Sequence, residues 1–185
     1  MKTTWSRTYA ALLAMVLVSI LAPCAFAQGV SVDGDAASDF IVVQIQGDGS
    51  LNWDVLGSSG GFAPHAAVAG FGQNGDHLIP ANWKSLGETS LGYVRLDQNT
   101  NTVFWIVRNE DGSTQRLALG NKNSVLISGA DFNGNGYADA AHVVRRKPRS
   151  KTAKWSIRTD LFADGQPGTN VESMTRNFGK WAGLM

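Results

Sequence analysis

One segment of the chain carries oxygen-bearing side chains at every second position. The run DFNGNGYAD places four of them at relative positions 1, 3, 5 and 9: Asp131, Asn133, Asn135 and Asp139. Tyr137, at position 7, offers its backbone carbonyl, and the glycines of the run permit a tight bend. Oxygen ligands at alternating positions along a curled loop are what a hard cation such as Ca²⁺ requires. The run therefore predicts a calcium site made of these five residues.

An EF-hand is excluded for this loop. Its position 12 is His142 rather than a bidentate glutamate, and no helical pattern flanks it. Both features are needed in an EF-hand, whose loop joins two helices and ends on that glutamate.

Two further loops stand at corresponding places earlier in the chain. The first has oxygen-bearing side chains at the same relative positions: Ser31, Asp33, Asp35 and Asp39. We expect its three carboxylates to ligate Ca²⁺ as well. The second has a different set at these positions: Asn82, Lys84, Leu86 and Ser90. Because a lysine and a leucine replace two ligands, this loop is predicted to hold no calcium, and the Lys84 ammonium would lie near the place of the ion.

The remaining reactive residues give no support for an enzyme. The three histidines, His65, His77 and His142, are scattered and lack the paired spacing of a catalytic zinc site. The sequence contains no G-x-S-x-G nucleophile elbow, no P-loop and no dinucleotide-binding fingerprint. We therefore predict that the protein is not an enzyme.

Three tryptophans mark the elements that must position the loops. Trp53, Trp105 and Trp155 are spaced by 52 and 50 residues, and the last position of each loop precedes its tryptophan by 14 to 16 residues. Short apolar runs separated by Gly, Asn and Asp surround them, and in the third copy they predict strands at 125–128, 140–146 and 154–159. Asp48-Gly49 predicts a tight turn in the first copy.

This pattern predicts an all-β domain of three repeats of about 50 residues each. The repeats span about 31–76, 77–124 and 125–185, and no stretch after residue 27 shows sustained helical periodicity. A charged fraction of 17% and 21 glycines in 185 residues argue against a disordered chain, a coiled coil and a collagen.

The N-terminus predicts export. Residues 1–27 combine Lys2 and Arg7, an apolar run at 10–22 and the small-residue sequence Ala25-Phe26-Ala27, which is the pattern of a secretory signal peptide. The apolar run is shorter than the roughly 20 residues of a transmembrane helix, so no membrane span is expected after cleavage. Cleavage would also remove the only cysteine and leave residues 28–185 as a single domain. We expect a secreted or periplasmic protein.

A basic cluster follows the third loop. Without residues 1–27, 14 Lys and Arg face 15 Asp and Glu, and six of these 14 cations fall between positions 145 and 154. The candidate ligand-binding residues among them are Arg145, Arg146, Lys147, Arg149 and Lys151. Such a cluster can bind an acidic polysaccharide or another polyanion through counterion release, or it can be a solvated hairpin turn.

The repeats resemble the FG-GAP/VCBS-type repeats of integrin-like β-propellers. The resemblance rests on DFNGNGYAD with its flanking strands and covers residues 31 to about 180. It implies that each repeat is about one four-stranded blade and that Ca²⁺ lies in the Asp/Asn loop. It carries the ligand role to the residues already identified in the third loop and to Asp33, Asp35 and Asp39 in the first, but to nothing in the second.

Three repeats do not complete a ring by themselves, because a propeller typically has 4–8 blades. The first repeat also begins inside its loop, without the strand that precedes the loop in the other two. We expect the run 180–185 to supply this strand between molecules, in a head-to-tail homo-oligomer that is most simply a dimer. The alternatives are an open propeller fragment and a β-trefoil, which also has three repeats.

These features predict a secreted, calcium-stabilised FG-GAP-like module for binding or adhesion, with a glycan or a polyanion as ligand. The alternative is a structural unit that forms oligomers and has no ligand of its own, and an extracellular enzyme acting on polysaccharides has the least support. The three repeated tryptophans are expected to pack between repeats. Trp83 and Trp181 fall outside the repeated position and are better candidates for the surface.

Overall fold

The structure, a computed structural model, describes residues 31–32, 34, 38–58, 61, 63–145, 152–163 and 176–180. Within these ranges the regular structure consists of thirteen β-strands and no helix, so the prediction of an all-β fold is confirmed. The described ranges accordingly hold no helix that is long and apolar enough to cross a membrane. The predicted signal segment, residues 1–27, lies outside them.

The strands form three sheets and one small hairpin, with every neighbouring pair antiparallel. Sheet 1 consists of β1 (Phe40–Ile45), β2 (Leu51–Gly57) and β3 (Ala63–Val68). Sheet 2 begins with β4 (His77–Leu78), and a separate hairpin of β5 (Ala81–Ser85) and β6 (Glu88–Ser90) follows. Sheet 2 then continues with β7 (Gly92–Asp97), β8 (Thr102–Arg108) and β9 (Thr114–Asn121). Sheet 3 consists of β10 (Val125–Ala130), β11 (Asp139–Arg145), β12 (Thr152–Arg158) and β13 (Arg176–Lys180).

The three sheets repeat one register, as the tryptophan spacing predicts. In each sheet the tryptophan lies opposite a valine of the preceding strand: Trp53 opposite Val43, Trp105 opposite Val94, and Trp155 opposite Val143. The order of strands within each sheet is also the order along the chain, apart from the inserted hairpin. The described strands close no barrel, so they give no support to a β-trefoil.

The predicted turn and the C-terminal segment can be compared with the structure in part. Gly49 has a positive φ of 84° and donates its N–H to the Gln46 carbonyl at 2.9 Å, which makes the tight turn between β1 and β2. Lys180 ends β13, the fourth strand of sheet 3. Residues 181–185, which were expected to supply a strand to another molecule, lie outside the described part of the chain.

Sheet 2 packs between the other two sheets because both of its faces are apolar. On β8, Val103, Trp105 and Val107 are buried in one cluster with Ala140 of β11. The alternate residues of β8 point the other way, and there Ile106 is buried with residues of sheet 1. Successive side chains of a strand point to opposite faces, so the unbroken apolar run from Val103 to Val107 in β8 requires a neighbour on each side.

The tryptophans lie inside the molecule to different degrees. Trp53 and Trp105 are buried, and their indole N–H groups donate to the carbonyls of Phe71 at 2.6 Å and Leu119 at 2.9 Å. Packing between repeats is therefore confirmed for these two, whereas Trp155 is half-buried. A polar partner for the indole N–H is what allows so large a side chain to be fully buried.

Trp83, which was a better candidate for the surface than the repeated tryptophans, is a core residue. Trp83 lies on β5, is 0% exposed, and donates its indole N–H to the Ile79 carbonyl at 2.6 Å. Its ring contacts Trp105 and Phe162 edge to face, with centroids 5.9 Å and 5.7 Å apart. The β5–β6 hairpin thus turns Trp83 into the core between sheets 2 and 3. Trp181 lies outside the described residues.

This placement predicts the cost of removing the indole. Trp83→Ala should lower the free energy of unfolding by about 3–5 kcal/mol, because truncation of a buried tryptophan loses its contacts and leaves a cavity. Ile45→Ala, at a side chain that is 59% exposed, is the control and should cost less than about 1 kcal/mol. Urea unfolding followed by circular dichroism measures both values. Equal losses in the two variants would contradict the buried position.

Candidate metal loops

The loop between β10 and β11 closes around the carboxylate of Asp131. Its Oδ1 atom accepts the backbone N–H of Gly134 at 2.6 Å and of Asn135 at 3.2 Å, and its Oδ2 atom accepts that of Gly136 at 2.8 Å. Desolvation of the carboxylate raises its pKa, but these N–H groups together outweigh that effect, so the pKa of Asp131 is lowered. Asp131 is therefore ionised and held at the first position of the loop, although its side chain is exposed.

Gly136 is favoured in this loop by its backbone conformation and by a close neighbour. Its φ of 90° is a left-handed conformation that side chains rarely adopt. A Cβ atom at this position would also lie 2.6 Å from a methyl carbon of Leu86, in the turn of the β5–β6 hairpin. The same hairpin accepts the Ala138 N–H at the Asn82 carbonyl, at 2.8 Å. The third loop is therefore packed against the hairpin of the second repeat.

Asp139 holds the end of the loop through two hydrogen bonds. Its side chain is 0% exposed, and its two oxygens accept the backbone N–H groups of Phe132 at 2.7 Å and Asp160 at 2.9 Å. Burial raises the pKa of Asp139, and the nearby carboxylates of Asp160 and Asp131 act in the same direction, against the two N–H donors. A positive charge placed among these three carboxylates would relieve this mutual repulsion.

Asp160 is the residue that the sequence analysis missed. It follows β12 in a left-handed conformation with φ 53°, and its carboxylate accepts the side-chain amides of Asn133 at 3.3 Å and Asn135 at 2.7 Å. The amide oxygens of the two asparagines accept the backbone N–H groups of Asn135 and Tyr137, at 3.2 Å and 3.0 Å. Carboxylate and amide oxygens have two lone pairs each, so these oxygens retain capacity for a cation.

The first loop is held by a buried aspartate in the same way. Asp39 is buried, and its oxygens accept the backbone N–H groups of Val32 at 2.6 Å and Ser58 at 2.8 Å. Val32 corresponds to Phe132, because each lies seven residues before the aspartate of its loop. Ser58 corresponds to Asp160, because each lies five residues after the repeated tryptophan. The hydroxyl groups of Ser31 and Ser58 are buried, and neither has a hydrogen-bond partner among the residues that the structure describes. Asp33 and Asp35, the other predicted ligands, lie outside the described residues.

The second loop is not a loop of this kind. Its residues form the β5–β6 hairpin, in which Ala81 pairs with Ser90 and Ser85 pairs with Glu88. Lys84 donates its Nζ–H to the side-chain oxygen of Asn109, which follows β8. Asn109 lies four residues after Trp105, whereas Asp160 lies five residues after Trp155. The Lys84–Asn109 contact therefore ties the hairpin to the end of its tryptophan strand, as Asn133–Asp160 does in the third repeat, but at a position one residue earlier.

The structure describes all of the predicted metal ligands of the third loop but only one residue of the predicted basic cluster. The five residues from Asp131 to Asp139 lie on one curled loop, and Asp160 joins them from the end of β12. Within the described ranges no three His, Cys, Asp or Glu residues form a metal-binding group, so any cation there would depend on amide and carbonyl oxygens as well. Of the basic cluster, Arg145 ends β11 and residues 146–151 lie outside the description.

A groove of about 440 Å³ lies between sheets 1 and 2, beside the second-repeat hairpin. Apolar side chains of both sheets line it together with the cations Lys84 and Arg108 and the carboxylates of Glu88, Glu110 and Asp111. Its volume falls within the range of ligand-binding clefts. Since cations and anions are interspersed, the groove suits a ligand with polar groups and no large net charge.

No protein-family model, no curated protein and no solved structure matches this chain.

The geometry predicts different roles for the two ends of the third loop when no metal is present. Asp139→Ala should lower the free energy of unfolding by about 1–3 kcal/mol, because it leaves part-buried N–H groups without an acceptor. Asp131→Ala should cost less than about 1 kcal/mol, since its donors are exposed and can bind water. Urea unfolding in the presence of EDTA measures both. A larger loss for Asp131→Ala than for Asp139→Ala would contradict this assignment.

Proposed function

We propose that this chain is a secreted or periplasmic, calcium-stabilised module for binding or adhesion, built like the FG-GAP/VCBS repeats that it resembles. The observation that carries the proposal is the curled, glycine-containing loop of carboxylate and amide oxygens at 131–139, to which Asp160 is hydrogen-bonded through Asn135 and Asp139. The proposed module binds other molecules through its surfaces, and no catalytic activity is proposed for it.

Each large sheet is proposed to be one blade of a propeller-like array. Three features support this: the strands of each sheet follow chain order, the sheets share one register around the repeated tryptophan, and they pack face to face. In sheet 1 the three described strands correspond to the last three strands of the other sheets. The loop that precedes β11 then occupies the position that the calcium loop has in the resembling family.

The bound Ca²⁺ would act as a structural ion. It would join the loop before β11 to Asp160 after β12, two segments that are 21 residues apart at Asp139 and Asp160. A site with two amides and few carboxylates fits the modest affinity of extracellular calcium modules, with Kd on the order of 10⁻⁴–10⁻³ M. The ordinary calcium concentration outside cells would then keep the site occupied.

Calcium should raise the thermal stability of the protein. A ligand that binds only the folded state at ten times its Kd adds about 1.4 kcal/mol, which raises the Tm of a domain of this size by roughly 3–6 °C. Differential scanning calorimetry in 10 mM Ca²⁺ and in EDTA measures the shift, which Asp131→Ala should abolish.

The matched control is Asp111→Ala. Asp111 is also an exposed aspartate that accepts a backbone N–H in a turn, from Ser113 at 2.9 Å, but it lies away from the proposed site. This variant should keep the full calcium response. An unchanged Tm of the wild-type protein in 10 mM Ca²⁺ would refute the calcium assignment.

The ligand is proposed to be a glycan or another polyanion. The six cations between positions 145 and 154, in a domain that is otherwise acidic, favour a polyanion at the hairpin between β11 and β12. The groove between sheets 1 and 2 carries both signs of charge and favours a neutral sugar there. A structural unit without a ligand of its own remains the alternative, and it would show neither kind of binding.

A pair of equally charged variants tests the polyanion. Arg145→Gln with Arg149→Gln should elute from a heparin column at lower salt than the wild type, because phosphate- or sulfate-type contacts release counterions. Arg116→Gln with Lys122→Gln removes the same charge at two exposed positions and should elute near the wild type. Equal elution of both double variants would show that only net charge matters and that the hairpin is a solvated turn.

A further inference from the structure

The face of sheet 3 that is turned toward sheet 2 changes from apolar to basic across its strands. Ala140 of β11 is buried against sheet 2, with Leu126 of β10 beside it. On β12 the same face carries every second residue of the run KWSIR: Lys154, Ser156 and Arg158. All three are half-buried. Because alternate residues of a strand share a face, their polar groups form one row.

His142 lies at the border between the apolar and the basic part of this face. It is directly opposite Ser156 in the pairing of β11 with β12, so Lys154 and Arg158 are its two diagonal neighbours. In an antiparallel pair the Cβ atoms of direct neighbours are about 4.5–5.5 Å apart and those of diagonal neighbours roughly 7 Å, which is within reach of long side chains. The hydroxyl and both cationic groups can therefore meet beside the imidazole ring.

The hydrogen bonds of His142 leave one ring N–H group available. The hydroxyl of Ser124, in the turn between β9 and β10, lies 3.2 Å from the Nδ1 atom of His142. The same hydroxyl oxygen accepts the backbone N–H of Asn121 at 3.0 Å. We assign the hydroxyl proton to a hydrogen bond with Nδ1, which puts the proton of the neutral ring on Nε2. The Nε2–H group is then a donor for a ligand.

The two cations of the row lack acidic partners. Within the part of the chain that the structure describes, neither Lys154 nor Arg158 forms an ion pair. The Ser156 hydroxyl likewise has no hydrogen-bond partner there. Half-buried charges without a counter-charge are unfavourable, and a bound anion would supply the missing charge.

The charge around His142 comes from β12. The pKa of His142 is lowered, first by burial and then by the positive charges of Lys154 and Arg158, so the ring is neutral at neutral pH. The turn before β10 contributes Lys122, which is exposed. The other strands packed against β11 carry no titratable side chain toward this face: β10 has Leu126 and Ser128, and β9 has Gln115, Leu117 and Leu119. An anion bound here would offset the two positive charges and favour protonation of the ring.

We propose that this basic row, which consists of His142, Lys154, Ser156 and Arg158, binds a sulfate or carboxylate group of an acidic polysaccharide. The two cations would balance the charge of the group, and the hydroxyl and the Nε2–H group would donate hydrogen bonds to its oxygens. The row continues the basic run that begins at Arg145, so a polymer with repeated anionic groups can occupy both. The inference rests on the polyanion of the proposed function, to which it adds a site, and it does not depend on calcium.

A proton NMR titration of the histidines tests the site in the wild-type protein. An opposite charge at 4–6 Å favours the protonated ring, so 100 mM sodium sulfate should raise the pKa of His142 by about 1 relative to sodium chloride of the same ionic strength. The pKa values of His65 and His77, which are exposed, should be the same in both salts. His142→Asn identifies the signal. An equal pKa of His142 in both salts would overturn the site.

Heparin binding tests whether the anion belongs to a polymer. Lys154→Gln with Arg158→Gln should weaken binding and lower the slope of log K against log salt by about 2, since each lost cation removes about one released counterion. The matched control is Arg108→Gln with Arg116→Gln, which removes the same charge from the Ile106 face of sheet 2 and should keep the wild-type slope. Isothermal titration calorimetry at several salt concentrations measures all three. Equal slopes in the two double variants would overturn the polysaccharide site.

The pH dependence of heparin binding tests the part of His142. Wild-type affinity should rise as the pH falls from 7.5 to 5.5, because the protonated ring adds a positive charge beside the anion, with about a tenfold gain for each pKa unit by which heparin favours protonation. His142→Gln should lose this gain and keep its affinity at pH 7.5, since glutamine still offers an N–H donor. The same rise in wild type and variant would overturn the assignment of His142.

The remaining outcomes separate this inference from the proposed function. A loss of heparin binding in the Lys154→Gln, Arg158→Gln protein but not in the Arg145→Gln, Arg149→Gln protein supports the row and refutes the hairpin as the polyanion site. The reverse result overturns the row and leaves the hairpin standing. A raised pKa of His142 in sulfate with unchanged heparin binding overturns the polysaccharide as ligand, because the site then takes a free ion only.

Discussion

The fold depends on a central sheet that is apolar on both faces. A sheet with one polar face can be covered on one side and face water on the other, but β8 has no such face. Val103, Trp105 and Val107 enter one cluster and Ile106 enters the other. Each square ångström of apolar surface left in water costs about 25 cal/mol, so sheet 2 is stable only between two neighbours. The stacking of sheets follows from this requirement, and the chain order decides which sheet lies beside which.

Within the first and third repeats, a buried aspartate holds two connections of the sheet together. Asp39 and Asp139 each accept two backbone N–H groups, one from the loop before them and one from the residue that follows the tryptophan strand. A hydrogen bond to a charged acceptor contributes more than a neutral one, and here one side chain fastens two distant segments. These contacts shape the loops before any ion is bound, and an ion would add its binding energy to a loop already curled.

The sequence predicted the strands and the register better than it predicted the loops. The third-repeat runs at 125–128, 140–146 and 154–159 agree closely with β10, β11 and β12, because alternation and turn residues are local signals. Trp83 became a candidate for the surface because it falls outside the repeated tryptophan position, but the residues around it form a hairpin that directs it inward. Asp160 joins the loop only through the pairing of β11 with β12, which no local spacing reveals, although its offset from Trp155 matches that of Ser58 from Trp53.

The second repeat shows how a cation can be built into the chain. Where the third repeat places an asparagine amide against Asp160, the second places the Lys84 ammonium against Asn109. A covalently attached charge needs no free ion, and it sits beside the central sheet, both faces of which are covered within the molecule. The loops that are proposed to bind Ca²⁺ belong to the two sheets on either side of it, so calcium would adjust the stability of those sheets and leave the central sheet independent of the ion.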